Sequence, residues 1–126
     1  MSKRILVVDD HPPMVRLVED ALVRAGFSVT TVSDGTECLR KVAAESPDLL
    51  ILDVMMPGLD GFEVLRALRQ REETKDLPVI MLTARKGHGD VLDGFMGGAN
   101  LYLTKPCQME ELVSSVKRML EVPIAY

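Results

Sequence analysis

The sequence has few of the residues that cross-link small domains or anchor proteins in membranes. Its 126 residues include two cysteines and no tryptophan. Cys38 and Cys107 lie far apart, which fits neither a zinc knuckle nor a disulfide framework, so we expect two free thiols in a reducing compartment. No apolar run approaches the roughly 20 residues that span a bilayer, and the first one is too short for a signal peptide. We expect a cytoplasmic protein without membrane insertion.

The chain also lacks an excess of positive charge. It has 19 acidic and 15 basic side chains, and a formal net charge of −4. Nucleic acids and anionic membranes attract clustered lysine and arginine, so we expect no direct nucleic-acid binding. The composition, 47% apolar and 27% charged, is typical of globular proteins. The length predicts one domain over residues 1–121 and a short C-terminal tail over 122–126.

Short apolar runs recur along the chain with the lengths of buried strands. They cover residues 5–8, 49–52, 79–82 and 101–103. Runs of this kind, without polar alternation, are typical of strands that are buried on both faces of a parallel sheet. A fifth candidate, residues 28–32, is more polar and is therefore predicted to be an edge strand.

Segments with helical periodicity separate these runs. Pro12 and Pro13 suit the first turn of a helix, and Gly26 is a natural C-terminal stop for it. The other predicted helices cover about 35–45, 60–70, 88–96 and the segment from Met109 to Pro123. This alternation predicts an α/β fold, a doubly wound parallel sheet of five strands flanked by five helices.

Polar residues follow the buried runs at once. They are Asp9, Asp10, Asp53, Thr83, Thr104 and Lys105. The carboxyl ends of parallel strands meet at one edge of an open sheet, so these distant residues are expected to share a pocket. Neighbouring carboxylates repel each other, and three of them together favour a bound cation. Oxygen ligands that leave room for water favour Mg²⁺.

The remaining polar side chains favour phosphoryl chemistry at the same place. Lys105 carries a positive charge that can hold an anion, and a phosphoryl group is the obvious candidate. Thr83 has a hydroxyl that can donate to a phosphoryl oxygen. Asp53 is the only acid on the central strand, and a carboxylate can accept a phosphoryl group to form an acyl phosphate. We therefore interpret Asp53 as the nucleophile.

Four motifs, in this order and at these spacings, resemble the receiver domains of bacterial response regulators. They are ILVVDD (5–10), DVMMPGLDG (53–61), PVIMLTA (78–84) and GANLYLTKP (98–106). The resemblance runs from Arg4 to about Leu120. It implies a flavodoxin-like sheet with the strand order 2-1-3-4-5.

The resemblance also implies roles for individual residues in metal binding. Asp53 would be the phosphoacceptor and, with Asp10, a direct ligand of Mg²⁺. Asp9 would contribute through water, and Met55 through its backbone carbonyl.

Other implied roles concern the phosphoryl group and the switch. Thr83 and Lys105 would contact the phosphoryl oxygens. After phosphorylation Thr83 would move inward and Tyr102 would turn toward the vacated space. The surface formed by the fourth helix, the fifth strand and the fifth helix would then change.

The function implied is a two-component or phosphorelay signalling switch. A histidine kinase or phosphotransfer protein would donate the phosphoryl group to Asp53, and the altered surface would control a downstream protein. The domain would catalyse its own phosphorylation and slow dephosphorylation without being a conventional turnover enzyme. A phosphorylation-dependent homodimer is a further possibility.

Two other functions are open at this stage. A receiver-like docking module would bind its partner without phosphorylation, although the complete set of polar residues argues against it. A true phosphatase would use Asp53 as nucleophile, but such enzymes usually have a second aspartate two positions later, where this chain has Met55. Reaction with acetyl phosphate would distinguish these alternatives.

Overall fold

The computed structural model describes residues 2–56, 58–83, 98–104 and 107–120, with residue 83 described by its backbone. The strands are β1 (Arg4–Val8), β2 (Ser28–Val32), β3 (Leu49–Asp53), β4 (Val79–Thr83) and β5 (Leu101–Thr104). The helices are α1 (Pro12–Arg24), α2 (Gly35–Glu45), α3 (Gly61–Arg69) and α4 (Met109–Met119). None of these four helices is both long enough and apolar enough to cross a membrane.

The predicted elements and the observed ones correspond closely. The helix α4 is the fifth helix of the sequence prediction. The predicted helix over 88–96 and the predicted tail over 122–126 lie outside the described residues. All five predicted strands are present.

The strands form one parallel sheet in the order β2-β1-β3-β4-β5. This confirms the predicted fold class and strand order, including the place of β2 at an edge. The central strand β3 is buried along its whole length. It pairs with β1 on one side and with β4 on the other. Leu52 of β3 is paired with Val8 of β1 and with Met81 of β4.

Three strands extend one residue beyond the carboxyl ends of their apolar runs. The backbones of Asp53 and Leu82 are paired in the β3–β4 ladder, and those of Thr83 and Thr104 are paired in the β4–β5 ladder. Pairing depends on backbone groups, so a polar side chain can occupy the last position of a strand. The apolar runs therefore ended one residue before these strands do, at Asp53, Thr83 and Thr104.

The sheet separates two hydrophobic cores. Alternate strand residues point to opposite faces, so Leu50 and Leu52 belong to one core while Leu49 and Ile51 belong to the other. The helices α2 and α3 cover the first face, and α1 and α4 cover the second. Apolar side chains are needed on both faces, which explains why the strand sequences do not alternate with polar residues.

Local signals begin and end the helices. Asp34 precedes α2, and its side chain accepts a hydrogen bond of 2.8 Å from the backbone N–H of Glu37. Asp60 and Glu63 form a reciprocal capping box at the start of α3. After α1, Gly26 has a φ of +99°, a conformation that glycine adopts without strain.

Candidate functional site

An acidic cluster lies at the carboxyl ends of β1 and β3. Asp9, Asp10 and Asp53 each offer one carboxylate oxygen, and these oxygens all lie within 4.8 Å of one another. The two strands are neighbours in the sheet, which brings together residues that are far apart in the sequence. The structure thus assembles all three predicted carboxylates at one edge of the sheet.

The backbone after β1 positions the first two acids. Asp9 is 5% exposed, and its backbone N–H donates to the carbonyl of Val32 at 3.2 Å. One oxygen of its carboxylate accepts a hydrogen bond of 2.9 Å from the backbone N–H of His11. Asp10 is exposed. The cluster therefore combines Asp9, which is buried and hydrogen-bonded to the backbone, with Asp10, which is exposed to solvent.

The loop after β3 positions the third acid. Asp53 is 5% exposed, and one of its carboxylate oxygens lies 3.4 Å from the backbone nitrogen of Met55, which donates to it. The Met55 side chain is half exposed beside the site. Unlike a carboxylic acid, a thioether has no ionisable proton to donate, and its sulfur is only a weak hydrogen-bond acceptor. Met55 therefore cannot act there as a general acid.

Gly61, the first residue of α3, fits closely against the backbone of Asp53. Its N–H donates to the carbonyl of Val54 at 2.9 Å. A Cβ on Gly61 would lie 2.5 Å from the carbonyl oxygen of Asp53. This positioning role was not predicted from the sequence, although the Asp60-Gly61 pair at the start of a predicted helix was a signal for it.

The donor set of the acidic cluster fits a hard divalent cation. Mg²⁺ prefers oxygen ligands at about 2.1 Å, so opposite ligands are about 4.2 Å apart. The three carboxylate oxygens lie within 4.8 Å of one another, so they could turn toward one ion. The exposure of Asp10 leaves room for the water molecules that Mg²⁺ usually retains. Among the described residues, this is the group of acids with metal-site geometry.

A surface cavity of about 410 Å³ adjoins the cluster on the side of α1 and β2. Asp9 and Asp10 line one end of it, and Pro12, Val15 and Arg16 of α1 contribute to its wall. Asp9 and Asp10 can therefore be reached from outside the protein.

The other predicted site residues are described only in part. Thr83 ends β4, next to the end of β3, and its backbone is paired with that of Thr104. Tyr102 lies in β5, is partly buried, and packs against the core on the α2 and α3 face. The side chain of Thr83 and the whole of Lys105 lie outside the described residues.

Cys38 is a free thiol, as predicted, and it is buried. Burial, with a smaller contribution from the nearby Asp34 carboxylate, raises the pKa of the Cys38 thiol to about 12. A thiol with this pKa stays protonated at neutral pH and is a poor nucleophile. Cys38 therefore does not compete with the carboxylates for chemistry.

Comparison with known proteins identifies the family. Residues 5–117 match the family model of the response regulator receiver domain. The chain is 46% identical over 120 residues to the alkaline phosphatase synthesis transcriptional regulatory protein PhoP of Bacillus subtilis, covering 95% of this chain and 49% of PhoP. It is 44% identical over 119 residues to the response regulator PleD of Caulobacter vibrioides, covering 94% of this chain and 26% of PleD. The chain thus spans half or less of these relatives.

Solved structures agree with this assignment. A putative response regulator from Chloroflexus aurantiacus has a TM-score of 0.92 and 39% identity, covering 96% of this chain and 99% of that one. The receiver domain of a sensor histidine kinase from Pseudomonas aeruginosa has a TM-score of 0.89 and 32% identity, with 96% and 99% covered. That structure holds a magnesium ion in its active-site cleft. This chain belongs to the family of response regulator receiver domains.

Proposed function

We propose that this chain is a phosphorylation-switched signalling domain whose phosphoacceptor is Asp53. The observation that carries the proposal is the meeting of Asp53 with Asp9 and Asp10 at one sheet edge, in a member of the receiver family. The phosphoryl donor would be a phosphohistidine on a histidine kinase or phosphotransfer protein. Such proteins present this group in the cytoplasm, where we place the domain.

The reaction is a nucleophilic displacement at phosphorus. A carboxylate oxygen of Asp53 forms a bond to phosphorus while the phosphorus–nitrogen bond of the donor breaks, and the imidazole nitrogen leaves with the electron pair. The product is an acyl phosphate on Asp53. Attack of water on the same phosphorus later regenerates the carboxylate and releases inorganic phosphate. Positioning and charge neutralisation provide most of the catalysis in such transfers.

We assign the metal ligands to the acidic cluster. Asp10 and Asp53 would bind Mg²⁺ directly, Asp9 through water, and Met55 through its backbone carbonyl. The magnesium ion of the Pseudomonas aeruginosa receiver domain supports this assignment. When bound, Mg²⁺ offsets the negative charge of the carboxylates and the phosphoryl group.

We assign the phosphoryl contacts and the switch to residues at the ends of β4 and β5. Lys105 and the hydroxyl of Thr83 would hold phosphoryl oxygens, and Thr83 and Tyr102 would change position together. The surface that changes would include β5, α4 and the predicted helix over 88–96. The phosphoryl group shifts this equilibrium only by the difference in its interactions with the two states.

The downstream target of the switch is proposed only as a class of protein or domain. PhoP is a transcriptional regulatory protein, and this chain covers about half of such a regulator. We infer that the changed surface controls either an output domain or a separate protein partner. A homodimer through β5 and α4 is one form of this output, and comparing sedimentation with and without phosphorylation tests it.

Mass spectrometry after incubation with acetyl phosphate and Mg²⁺ tests the proposal. We expect the mass of one phosphoryl group on the wild-type protein and none on Asp53→Asn. Asp20→Asn, which changes an exposed acid on α1, is the matched control and should be phosphorylated normally. Wild-type protein that stays unmodified would favour the docking module. Steady release of phosphate from a small phosphoester would favour the phosphatase.

A further inference from the structure

The side chain of Arg69, the last residue of α3, donates hydrogen bonds to three other residues. Its Nε donates to the carbonyl of Gly98 at 3.0 Å, and one terminal nitrogen donates to the carbonyl of Thr74 at 3.2 Å. The other terminal nitrogen donates to Oδ1 of Asn100 at 3.1 Å. All three guanidinium nitrogens are therefore used at the end of α3 that lies away from the acidic cluster.

Asn100 extends this contact to the first residue of β4. The backbone N–H of Asn100 donates to the carbonyl of Val79 at 2.9 Å. The N–H of Val79 donates in return to Oδ1 of Asn100, also at 2.9 Å. Asn100 directly precedes β5, so the beginnings of β4 and β5 are joined to each other and to α3.

Gly98 adapts the backbone to the arginine. It has a φ of +95°, and a Cβ at this position would lie 3.1 Å from Nε of Arg69 and 3.2 Å from its Cγ. Partial burial lowers the pKa of Arg69, and the nearby Asp76 carboxylate opposes this change. Arginine begins from so high a pKa that it remains charged at neutral pH. The guanidinium therefore lies against the Gly98 backbone as a charged donor of hydrogen bonds.

The other end of the same helix contacts the phosphoacceptor. Gly61 begins α3 against the backbone of Asp53, and Arg69 ends this nine-residue helix. The helix is thus attached at one end to the strand that carries the nucleophile. At the other end it is attached to the beginnings of the two strands that carry the proposed switch residues.

We propose that Arg69 is a positioning residue of the phosphorylation switch, which fixes the beginnings of β4 and β5 so that Tyr102 has a single resting position. This inference rests on the proposed function. Tyr102 lies only two residues beyond Asn100. When Arg69 fixes the beginnings of β4 and β5, the free energy of phosphoryl binding moves Tyr102 and is not needed to order these strands. When they are loose, Tyr102 populates several positions before phosphorylation, and the change on phosphorylation is smaller.

The experiment compares Arg69→Ala with Arg66→Ala. Arg66 lies on the same helix and is exposed, and its side chain has no hydrogen bond or ion pair with any described residue. Tyr102 is one of two tyrosines, so Tyr126→Phe leaves it as the single tyrosine for NMR of ring-labelled protein. The probes are Mg²⁺ with beryllofluoride for the NMR shift and acetyl phosphate for the mass gain.

We expect all variants to gain the phosphoryl mass to the wild-type extent. The change in the Tyr102 shift on beryllofluoride binding should fall by about half or more in Arg69→Ala and stay unchanged in Arg66→Ala. A full Tyr102 response in Arg69→Ala would overturn the inference while leaving the proposed function intact. A wild-type protein that neither gains mass nor responds would overturn both.

Variants of Asn100 provide a second measurement if Arg69→Ala does not fold. Asn100→Ala removes the acceptor shared by Arg69 and Val79 and should also reduce the Tyr102 response. Asn100→Asp keeps an acceptor oxygen there and should preserve the response. A loss of stability alone does not predict this rescue. Equal responses in the alanine and aspartate variants would contradict the inference.

Discussion

The charge of Asp10 has opposite effects on the stability of the metal-free and the metal-bound protein. Asp10 lies within a cluster of three acids, so its charge is unfavourable without a cation and useful with one. We expect Asp10→Asn to raise the Tm of the metal-free protein by a few degrees. We also expect it to weaken Mg²⁺ binding by about tenfold or more. Thermal unfolding with and without Mg²⁺ measures both effects, because a ligand of the folded state raises the Tm.

The control for this prediction is Asp20→Asn. Asp20 is an exposed acid of α1 outside the cluster. This variant should retain the wild-type Mg²⁺ response. A Mg²⁺-induced rise in Tm that is the same in Asp10→Asn and wild type would show that Asp10 is not a ligand.

Two glycines near the site differ in what a methyl group would contact. At Gly61 a Cβ would lie 2.5 Å from the carbonyl oxygen of Asp53. At Gly58 a Cβ would have no atom within 4 Å, and the only cost of a side chain there is the strain of a φ of +76°. We expect Gly61→Ala to lower the free energy of unfolding by about 3 kcal/mol, because rigid backbone must move. Gly58→Ala should cost about 1 kcal/mol. Urea denaturation measures both, and equal costs would refute the argument from close contact.

At the scale of elements, Glu45 connects the end of α2 to its neighbours. Its carboxylate accepts hydrogen bonds from Lys41 at 3.0 Å and from Thr30 of β2 at 3.3 Å. Its backbone carbonyl accepts one from the Arg4 side chain at 2.6 Å. The hydrogen bond from Lys41 is the largest cause of a lowered Glu45 pKa. The connection between α2 and the sheet therefore depends partly on an ionised carboxylate.

This lowered pKa predicts a pH dependence of stability. A carboxyl group whose pKa is lower in the folded protein stabilises the fold above its unfolded pKa, near 4.5. That contribution is lost as the pH falls through the lowered, folded-state pKa. We expect Glu45→Gln to make the urea midpoint less dependent on pH below about 4.5. Added salt should reduce the difference between wild type and variant, because the group is exposed.

Glu73→Gln is the matched control for this prediction. Glu73 is exposed, and its side chain has no hydrogen bond or ion pair with the described residues. Its substitution should leave the pH profile unchanged. A Glu45→Gln profile that follows the wild-type curve would disprove a stabilising role for the carboxylate.

Predictions from the sequence were most accurate where the signals are local. The bounds of α2 and β2 were predicted to the residue, because Gly35 follows a capping aspartate and Ser28–Val32 is a short run between turns. The ends of β3, β4 and β5 were predicted one residue short. Strand ends depend on backbone pairing with another strand, and a sequence pattern does not show that pairing.

At the scale of the whole molecule, two cores share one sheet. Leu65 is fully buried in the core beneath α2 and α3, and Leu22 is fully buried in the core beneath α1. Because both cores pack on the same five strands, neither should persist without the other. We expect Leu65→Ala and Leu22→Ala each to cost about 2–5 kcal/mol.

The two variants should also unfold in a single transition. Far-UV circular dichroism and hydrogen exchange monitored during urea denaturation should give the same midpoint for each variant. Arg66→Ala, at an exposed position of α3, should leave the midpoint close to that of wild type. Separate midpoints for the two faces of the sheet would contradict a shared core.

The sequence by itself determined the α/β class, most of the element bounds and the acids of the candidate site. It did so because buried parallel strands require unbroken apolar runs, and because the polar residues at their ends are then brought to one edge. Motif spacing was enough to indicate the receiver family.

Only the tertiary structure decided how closely these parts meet. The spacing of the three carboxylates and the hydrogen bonds from Arg69 to Gly98 and Asn100 join segments that are distant in sequence. The contact of Gly61 with Asp53 depends on how α3 packs against β3. Such contacts depend on how helices pack on the sheet, and packing is a property of many residues at once. For that reason Arg69 had no signal in the sequence, whereas Asp53 did.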